Sequence, residues 1–272
     1  MIYLLSSEGL EVMRVLVKHP ILYGFDFDGT LAPISPERES VRVSRSMAEW
    51  LKELAKRVPC AVVSGRGLRD LAPRVDGMVP HLIGNHGMES PLTPPLTLAW
   101  AKGICAGWIR MLTGSLASQL SAAKIELENK RYSVTLHYKA DVEAEQVNPE
   151  LTAFVNQLTP VPRLIFGKQS VNLLPPGKGG KGAAALALMQ HLKQDGLFYV
   201  GDDETDEDVF QLRDGLALGV RVGKDANSQA RYYVRHQSEI EEVIRFLVHR
   251  IDRTPESQPD RKTAVIGTQD ET

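Results

Sequence analysis

The first part of the chain alternates short apolar runs with amphipathic segments. Apolar positions recur at helical spacing over residues 44–57, whereas residues 21–27 and 59–64 are continuous apolar runs typical of buried strands. The same criteria predict the other elements of this part: helices over 7–17 and 68–75, and a short strand over 81–84. This alternation is typical of a mostly parallel sheet that is covered by helices on both faces.

The pattern changes between residues 88 and 176. Pro91, Pro94 and Pro95 predict a loop, and helix-like patterns follow over 98–112 and 148–158. Alternating, strand-like segments lie at 124–139 and 163–174. Clustered strands with helices between them predict a small α+β layer, so we expect residues 88–176 to form an inserted second domain.

The alternation of helix and strand resumes at Lys181. We predict a helix over 182–192, strands over 196–200 and 216–222, and a closing helix over 238–251. The fold class is therefore α/β, with a Rossmann-like core formed by residues 1–87 and 177–252. The segment 253–272 has little apolar content and predicts a disordered tail.

Composition narrows the class of protein but not its function. The chain has 272 residues, of which 43% are hydrophobic and 24% charged, as in ordinary globular proteins. A net charge of −2 gives no general attraction to nucleic acid or to anionic membranes. Cys60 and Cys105 cannot build a disulfide framework, and we find neither a secretion signal nor an apolar run that could span a bilayer. We expect a cytoplasmic protein without an obligate protein partner.

Two carboxylates end the first apolar run, in the stretch GFDFDGTL. Side chains at i and i+2 leave a strand on the same face, so Asp26 and Asp28 should repel each other unless something positive lies between them. The alternative is that Asp28 only caps the turn that closes the strand.

Polar residues also follow the other predicted strands. Ser64 and Arg66 follow the second apolar run, Lys181 begins a helix, and the stretch GDDETD follows the strand at 196–200. Sites in open parallel sheets form outside the carboxyl ends of the strands. Several carboxylates, a hydroxyl and an ammonium around one cleft suit a Mg²⁺ ion and a phosphoryl group. Taken singly, these residues could be a turn, a surface lysine and a solvated helix start.

The order of these motifs carries a resemblance. D-x-D-G-T, a strand that ends in Ser, a Lys and then G-D-D-x-x-D resembles the haloacid dehalogenase superfamily. The finer pattern of SGR, NHG, E-x-K before HY, and GDDETDEDVF is similar to its trehalose-6-phosphate phosphatase family, over about residues 21–250. The resemblance implies a core with a cap domain and hydrolysis of a sugar phosphate, most directly trehalose 6-phosphate.

The resemblance also implies which residues are catalytic. Asp26 would attack phosphorus and form an aspartyl-phosphate. Asp28 would protonate the leaving sugar oxygen and later deprotonate water. Ser64 and Lys181 would hold the phosphoryl oxygens, with Lys181 helped by the positive end of its helix.

A Mg²⁺ ion is the implied cofactor. Asp26 and Asp202 would bind it, together with the backbone carbonyl of Asp28. Asp203 and Asp206 would orient Lys181 or the waters bound to the metal.

The inserted domain is expected to select the substrate. Glu128 and Lys130 lie on one face of a predicted strand, where the alternative is an ion-paired surface. In the family such side chains contact sugar hydroxyls. Arg66 and Asn172 complete the candidate substrate-binding set, and family members usually carry Glu at the position of Asn172. Asn can still donate and accept hydrogen bonds but lacks the charge.

Alternative functions stay open at this point. The substrate could be another glycosyl phosphate, such as a glucosylglycerol or glycosylglycerate phosphate. A non-catalytic sugar-phosphate sensor would normally lack Asp26 or Asp28, and both are present. Nucleotide binding is disfavoured, because Asp70 replaces the last small residue of a G-x-G-x-x-G motif and Pro175 stands where a P-loop needs its first Gly.

Overall fold

The protein contains two β-sheets, one of seven strands and one of four. The computed structural model describes residues 1–35, 37, 39–122, 124–138, 154–167, 170–177, 179–212 and 215–252. The predicted tail lies outside the described residues, as does most of the helix predicted over 148–158.

The elements follow one another in a clear βα alternation on either side of the second sheet. The strands are β1 Ile2–Tyr3, β2 Ile21–Phe25, β3 Cys60–Val63, β4 His81–Ile83, β5 Glu126–Asn129, β6 Val134–His137, β7 Arg163–Gly167, β8 Ser170–Leu174, β9 Gly196–Gly201, β10 Ala217–Val222 and β11 Tyr232–Val234. The helices are α1 Ser7–Leu16, α2 Arg45–Ala55, α3 Leu68–Val75, α4 Pro95–Thr113, α5 Ala117–Ala122, α6 Lys181–His191, α7 Glu207–Phe210 and α8 Ile240–Ile251.

The seven-stranded sheet has the order β1-β11-β10-β9-β2-β3-β4, and its strand pairs are parallel. Alternate strand residues point to opposite faces and build two apolar cores. Helices α1, α2, α3 and α8 cover one face, whereas α6 and α7 cover the other. Burial on both faces explains why the strands read as continuous apolar runs. The predicted α/β class with a mostly parallel sheet is confirmed.

The four-stranded sheet is antiparallel, with the order β5-β6-β8-β7. One face packs its apolar side chains on α4, where Trp108 is fully buried and donates a hydrogen bond from Nε1 to the Pro160 carbonyl at 2.8 Å. The register aligns Glu128 with Thr135 and Thr135 with Asn172, so polar side chains share the opposite face. This sheet lies within the range that we predicted for the inserted domain.

Several boundaries differ from the predictions. The first long strand ends at Phe25, two residues early, so Asp26 and Asp28 lie in the turn that follows it and not on one face of a strand. Helix α4 begins at Pro95 and not at residue 98, because proline is tolerated at the first helical position, where its missing N–H costs nothing. The short strands β1 and β11 and helix α5 were not predicted.

Helix α6 lies unusually close to α7, the short helix that follows β9. A Cβ atom on Gly182 would stand 2.0 Å from the Asp208 carbonyl oxygen, so only glycine allows this approach. The contact brings the first turn of α6, and with it Lys181, to the carboxyl edge of the parallel sheet.

In the part of the chain that the structure describes, no helix combines the length and the apolar character needed to cross a bilayer.

Candidate active site

Three neighbouring strands of the parallel sheet end side by side, and each is followed by a polar residue. Strand β2 pairs with β9 on one side and with β3 on the other. Asp202 follows β9, Asp26 follows β2, and Ser64 follows β3. The carboxyl edge of a parallel sheet thus gathers residues that are far apart in the sequence.

Lys181 lies between two buried carboxylates. Its Nζ atom is 2.8 Å from Oδ1 of Asp26 and 2.8 Å from Oδ1 of Asp206. All three side chains are buried, with relative exposures of 2% for Lys181, 4% for Asp26 and 0% for Asp206. The ammonium group therefore joins the end of β2 to the turn after β9.

Asp206 is held by contacts on both of its oxygens. Oδ1 accepts hydrogen bonds from Lys181 and from the Tyr199 hydroxyl, the latter at 2.8 Å. Oδ2 accepts from the backbone N–H groups of Asp202 and Asp203, each at 3.0 Å. Burial and the nearby Asp206 carboxylate raise the pKa of Tyr199, so its hydroxyl remains a donor. Asp206 consequently fixes the position of Lys181 and the shape of the loop that carries Asp202.

Charge in this cluster is unevenly balanced. Burial raises the pKa of Asp26 well above its ordinary value; Lys181 opposes the shift, while Asp206 and Asp202 add to it. Burial would lower the pKa of Lys181, but the two carboxylates outweigh that effect and raise it. One ammonium thus serves a group of carboxylates, and an additional cation would relieve their repulsion.

The carboxylates fit an oxygen-preferring metal ion. One oxygen from each of Asp26, Asp202 and Asp206 lies within 4.8 Å of the others. Since the Asp206 oxygens already accept hydrogen bonds, Asp26 and Asp202 are the side chains best suited as ligands. Carboxylate oxygens without histidine or thiolate are the donor set that Mg²⁺ prefers.

The turn after β2 lies directly against Asp202. Gly29 has φ of +80°, and a Cβ atom there would stand 2.1 Å from an Asp202 carboxylate oxygen. Thr30 also approaches, with its Oγ1 donating to Asp202 Oδ1 at 3.4 Å. Glycine is therefore required at position 29, and it brings the backbone beside Asp28 next to the candidate metal ligands.

Asp28 and Asp26 pair with different cations. The Asp28 carboxylate receives two hydrogen bonds from Arg66, from Nε and Nη2, both at 2.7 Å. The backbone N–H of Arg66 donates to Ser64 Oγ at 3.1 Å, and its Nη1 reaches Asp70 at 2.7 Å. Each carboxylate therefore has a cation of its own. Lys181 contacts the buried Asp26, and Arg66 contacts the more exposed Asp28.

The polar face of the second sheet carries a connected network. His137 Nε2 lies 2.7 Å from Glu128 Oε2, and Lys130 Nζ lies 4.0 Å from the same oxygen. Asn172 Oδ1 accepts hydrogen bonds from Thr135 at 2.7 Å and from Lys130 at 3.4 Å. The predicted substrate-binding residues of this sheet thus lie together.

The turn after β5 docks this network on the parallel sheet. Lys130 Nζ donates to the Gly65 carbonyl at 3.3 Å, in the loop that also carries Ser64 and Arg66. Asn85, after β4, donates to the Lys130 carbonyl at 3.2 Å and accepts from Ser133 at 2.5 Å. These bonds hold the second sheet over the edge where Asp26 and Asp28 lie.

Asp203, a predicted site residue, lies apart from the contacts of Lys181. Asp203 Oδ1 accepts a hydrogen bond from the Glu204 backbone N–H at 2.6 Å and caps the short turn of residues 204–206. It supports the loop and does not touch Lys181 in the described structure.

Sequence reasoning missed Tyr199, Asn85, Thr135 and His137. Tyr199 sits in an apolar strand, where its hydroxyl gave no signal. Asn85 belongs to the NHG motif, and a polar residue directly after a strand was the signal that could have identified it.

We expect Lys181→Met to destabilise the fold strongly at neutral pH. Removing the ammonium leaves Asp26 and Asp206 buried without a cation, which costs about 3 to 5 kcal/mol. Lys181 holds down the already raised pKa of Asp26, so its removal should raise that pKa further. The folded variant then takes up its proton at a higher pH than the folded wild type, and the loss of stability should shrink as pH falls toward the ordinary carboxyl value. Urea unfolding at a series of pH values measures this.

The matched control is Lys52→Met, which removes an exposed lysine from α2. It should change the free energy of unfolding by less than about 0.5 kcal/mol. A Lys181→Met protein as stable as this control would contradict the assigned electrostatic role.

Comparison with known proteins identifies relatives of one kind. A family model described as Trehalose-phosphatase matches residues 24–238. A trehalose-phosphate phosphatase of Mycolicibacterium paratuberculosis is 33% identical over 217 residues, which cover 75% of this chain and 54% of that protein. A trehalose 6-phosphate phosphatase of Zea mays is 27% identical over 257 residues, covering 85% and 70% respectively. The chain spans about half the length of the first of these relatives.

Solved structures share the fold. The C-terminal domain of a C. albicans trehalose-6-phosphate phosphatase aligns with a TM-score of 0.69 at 18% identity, covering 89% of this chain and 97% of that one. A haloacid dehalogenase-like hydrolase from Bacteroides thetaiotaomicron aligns with a TM-score of 0.56 at 14% identity, covering 83% and 98%. The parallel sheet thus has the haloacid dehalogenase fold. Because the family model matches most of the sequence, the chain belongs to the trehalose-phosphatase family.

Proposed function

We propose that the chain hydrolyses the phosphate ester of a sugar, most directly trehalose 6-phosphate. The observation that carries the proposal is the contact of Lys181 with Asp26 at the edge of the parallel sheet, beside the Asp28–Arg66 pair. This arrangement offers a nucleophile, a cation for phosphoryl oxygens and a second carboxyl group. Family membership and the names of the relatives support the same reaction.

In the first step, an Asp26 oxygen forms a bond to phosphorus as the bond from phosphorus to the sugar oxygen breaks. Asp28 gives its proton to the departing oxygen. Lys181 and Ser64 hold the phosphoryl oxygens while charge shifts among them. Asp28 must turn from Arg66 toward the substrate, and its side chain, 39% exposed, has room to do so.

In the second step, Asp28 takes a proton from water, and the water oxygen attacks phosphorus. The bond between phosphorus and Asp26 breaks, which releases phosphate and restores the carboxylate. Arg66 stays near Asp28 through its ties to Asp70 and Ser64, and we assign it to substrate binding. Asp206 keeps Lys181 in position, and Asp203 supports the loop after β9.

Mg²⁺ is the proposed cofactor. Asp26, Asp202 and the backbone carbonyl of Asp28 would hold it. When bound, it would neutralise part of the charge on the carboxylates and on the phosphoryl group.

We propose residues 1–87 and 177–252 as the catalytic core and 88–176 as a cap. Within the cap, Glu128, Lys130 and Asn172 would contact sugar hydroxyls. Both cysteines are buried free thiols, which supports a cytoplasmic location.

A second candidate function is hydrolysis of another glycosyl phosphate. It is favoured by Asn172, whose amide is already engaged: Oδ1 accepts from Thr135 and Lys130, and Nδ2 donates to the Ile165 carbonyl at 3.3 Å. Because the Asn172 amide is already hydrogen-bonded within the sheet, it suits a sugar that is bound through other residues.

Phosphate release from a panel of sugar phosphates tests the function. We expect the highest kcat/KM for trehalose 6-phosphate among disaccharide, hexose and glycosylglycerol phosphates. Asp26→Asn should lower kcat roughly a thousandfold or more on every substrate, because the amide is a poor nucleophile. Circular dichroism should show that this variant stays folded.

The control for that variant is Asp252→Asn, which changes an exposed aspartate far from the cluster. It should keep wild-type turnover. Rapid hydrolysis by a folded Asp26→Asn protein would rule out the aspartyl-phosphate mechanism.

Removal of divalent metal should abolish phosphate release, and added Mg²⁺ should restore it. The reason is that Asp26 and Asp202 repel each other and the substrate phosphate without a cation. Asp202→Asn should raise the Mg²⁺ concentration that gives half-maximal activity. Full turnover in excess chelator, with metal analysis showing none bound, would contradict the assignment.

Asn172→Glu separates the two candidate substrates. If trehalose 6-phosphate is the substrate, we expect its kcat/KM to rise, because a carboxylate beside Lys130 restores the charge usual in the family. If the substrate is another glycosyl phosphate, activity on that compound should fall instead. Hydrolysis of an aryl phosphate, which is too small to reach the cap, serves as the internal reference and should stay constant.

A further inference from the structure

His86 is a buried residue for which the proposed mechanism has no role. It lies in the single turn Asn85–Gly87 after β4, and only 6% of it is exposed. Both Asn85 and His86 have positive φ, of 49° and 52°, a conformation that is uncommon outside glycine. Residues held in this way cluster at ligand sites, where the surrounding structure stabilises them.

The His86 imidazole is packed tightly, and within the described part of the chain its nitrogen atoms make no hydrogen bond of normal geometry. A Cβ atom on Gly65 would stand 2.5 Å from its Cε1 atom, so the glycine makes room for the ring. Among the described residues, neither Nδ1 nor Nε2 meets a hydrogen-bonding partner at normal distance. A buried polar side chain without a partner is rare and calls for a reason.

The imidazole is neutral. Burial lowers the pKa of His86 well below its ordinary value, and the nearby cations Lys130, Lys181 and Arg163 lower it further, while Asn172 opposes the shift in part. A neutral ring offers one donor and one acceptor, which matches a hydroxyl group. Phosphate oxygens, which only accept, match it less well.

His86 lines a cavity of about 400 Å³. It lies between α4, α6 and the two segments that join the second sheet to the first. Thr97 and Trp100 line it from α4, Arg163 from β7, and Gly180 next to Lys181. This volume falls in the range of small-molecule sites. Its lining combines an aromatic ring with a few polar groups, as is typical of small-molecule sites.

The cavity also suits a neutral ligand better than an anion. Arg163 is the cation among the described residues of its wall, and the Asp208 carboxylate lies beside Arg163 at Gly180, so their charges partly cancel. Arg163 Nε is buried without a hydrogen-bonding partner among the described residues and can donate to a hydroxyl.

We propose that His86 is a specificity-determining residue whose imidazole hydrogen-bonds the hydroxyls of a substrate sugar bound in this cavity, with Trp100 against the apolar face of the sugar. The inference rests on the proposed function and extends it to His86, a neighbour of Lys130 and Asn172 that the proposed mechanism does not use, and to the cavity that His86 lines.

His86→Gly and His86→Asn test the proposal, because both residues accept the left-handed backbone. The glycine variant removes the imidazole, whereas asparagine keeps a donor and an acceptor on a shorter side chain. For trehalose 6-phosphate, His86→Gly should lower kcat/KM about tenfold or more. For 4-nitrophenyl phosphate it should change kcat/KM by less than about threefold. His86→Asn should fall between.

Trp100→Ala and Leu96→Ala form the matched pair for the cavity. Both residues lie in α4, but Trp100 lines the cavity and Leu96 is 84% exposed outside it. Only Trp100→Ala should raise KM for trehalose 6-phosphate. Equal losses on both substrates in His86→Gly would show a structural role and overturn the proposal, as would unchanged kinetics.

Binding of trehalose itself, measured by calorimetry, separates this inference from the proposed function. If the wild-type enzyme hydrolyses no sugar phosphate, the function fails. Weaker trehalose binding by His86→Gly than by wild type would still support the site. Absence of trehalose binding by wild type, or equal binding by both proteins, would overturn it.

Discussion

The ammonium group of Lys181 between two buried carboxylates is the interaction on which the site depends. It joins Asp26 from one strand end to Asp206 from the neighbouring one, and it fixes the start of α6 against both. Asp206 in turn holds the loop that presents Asp202. These three charges are stable in the interior only because each has its partner, since a buried charge that loses its partner is strongly unfavourable. The contacts of Lys181 therefore both stabilise the fold and fix the positions of the candidate site residues.

The two sheets divide their tasks according to their geometry. The parallel sheet gathers Asp26, Asp202 and Ser64 at one edge because parallel strands all end on the same side. The antiparallel sheet alternates apolar and polar faces, so it can bury one face on α4 and present Lys130 and its neighbours with the other. In the function that we propose, the chemistry depends on residues at the edge of the first sheet, and recognition of the sugar depends on the polar face of the second.

The sequence predicts most of the fold because buried strands and amphipathic helices leave clear apolar patterns. The two-residue strand β1 and the three-residue strand β11 are too short for such a pattern. Pro95 follows two other prolines that are typical of a loop, although it begins α4. In the site, Asp26, Asp28 and Lys181 could be predicted from motif order. The separation of the two carboxylates onto Lys181 and Arg66 could not, because it depends on where the strand ends. The burial of Asp206 and the contact of Tyr199 arise only from tertiary packing.

The second sheet is connected to the first through two segments that contribute to the walls of the same cavity, one at residues 88–94 and the other at residues 174–177 and 179–180. A body that is tethered at two adjacent points keeps one easy motion, a swing about the line that joins the tethers, whereas twisting and sliding strain both connections. Any separation of the turn at Lys130 from Gly65 on the parallel sheet would therefore follow a single arc. On such an arc the same side chains would return over Asp26 in the same register, because the double attachment would preserve the alignment of the two sheets.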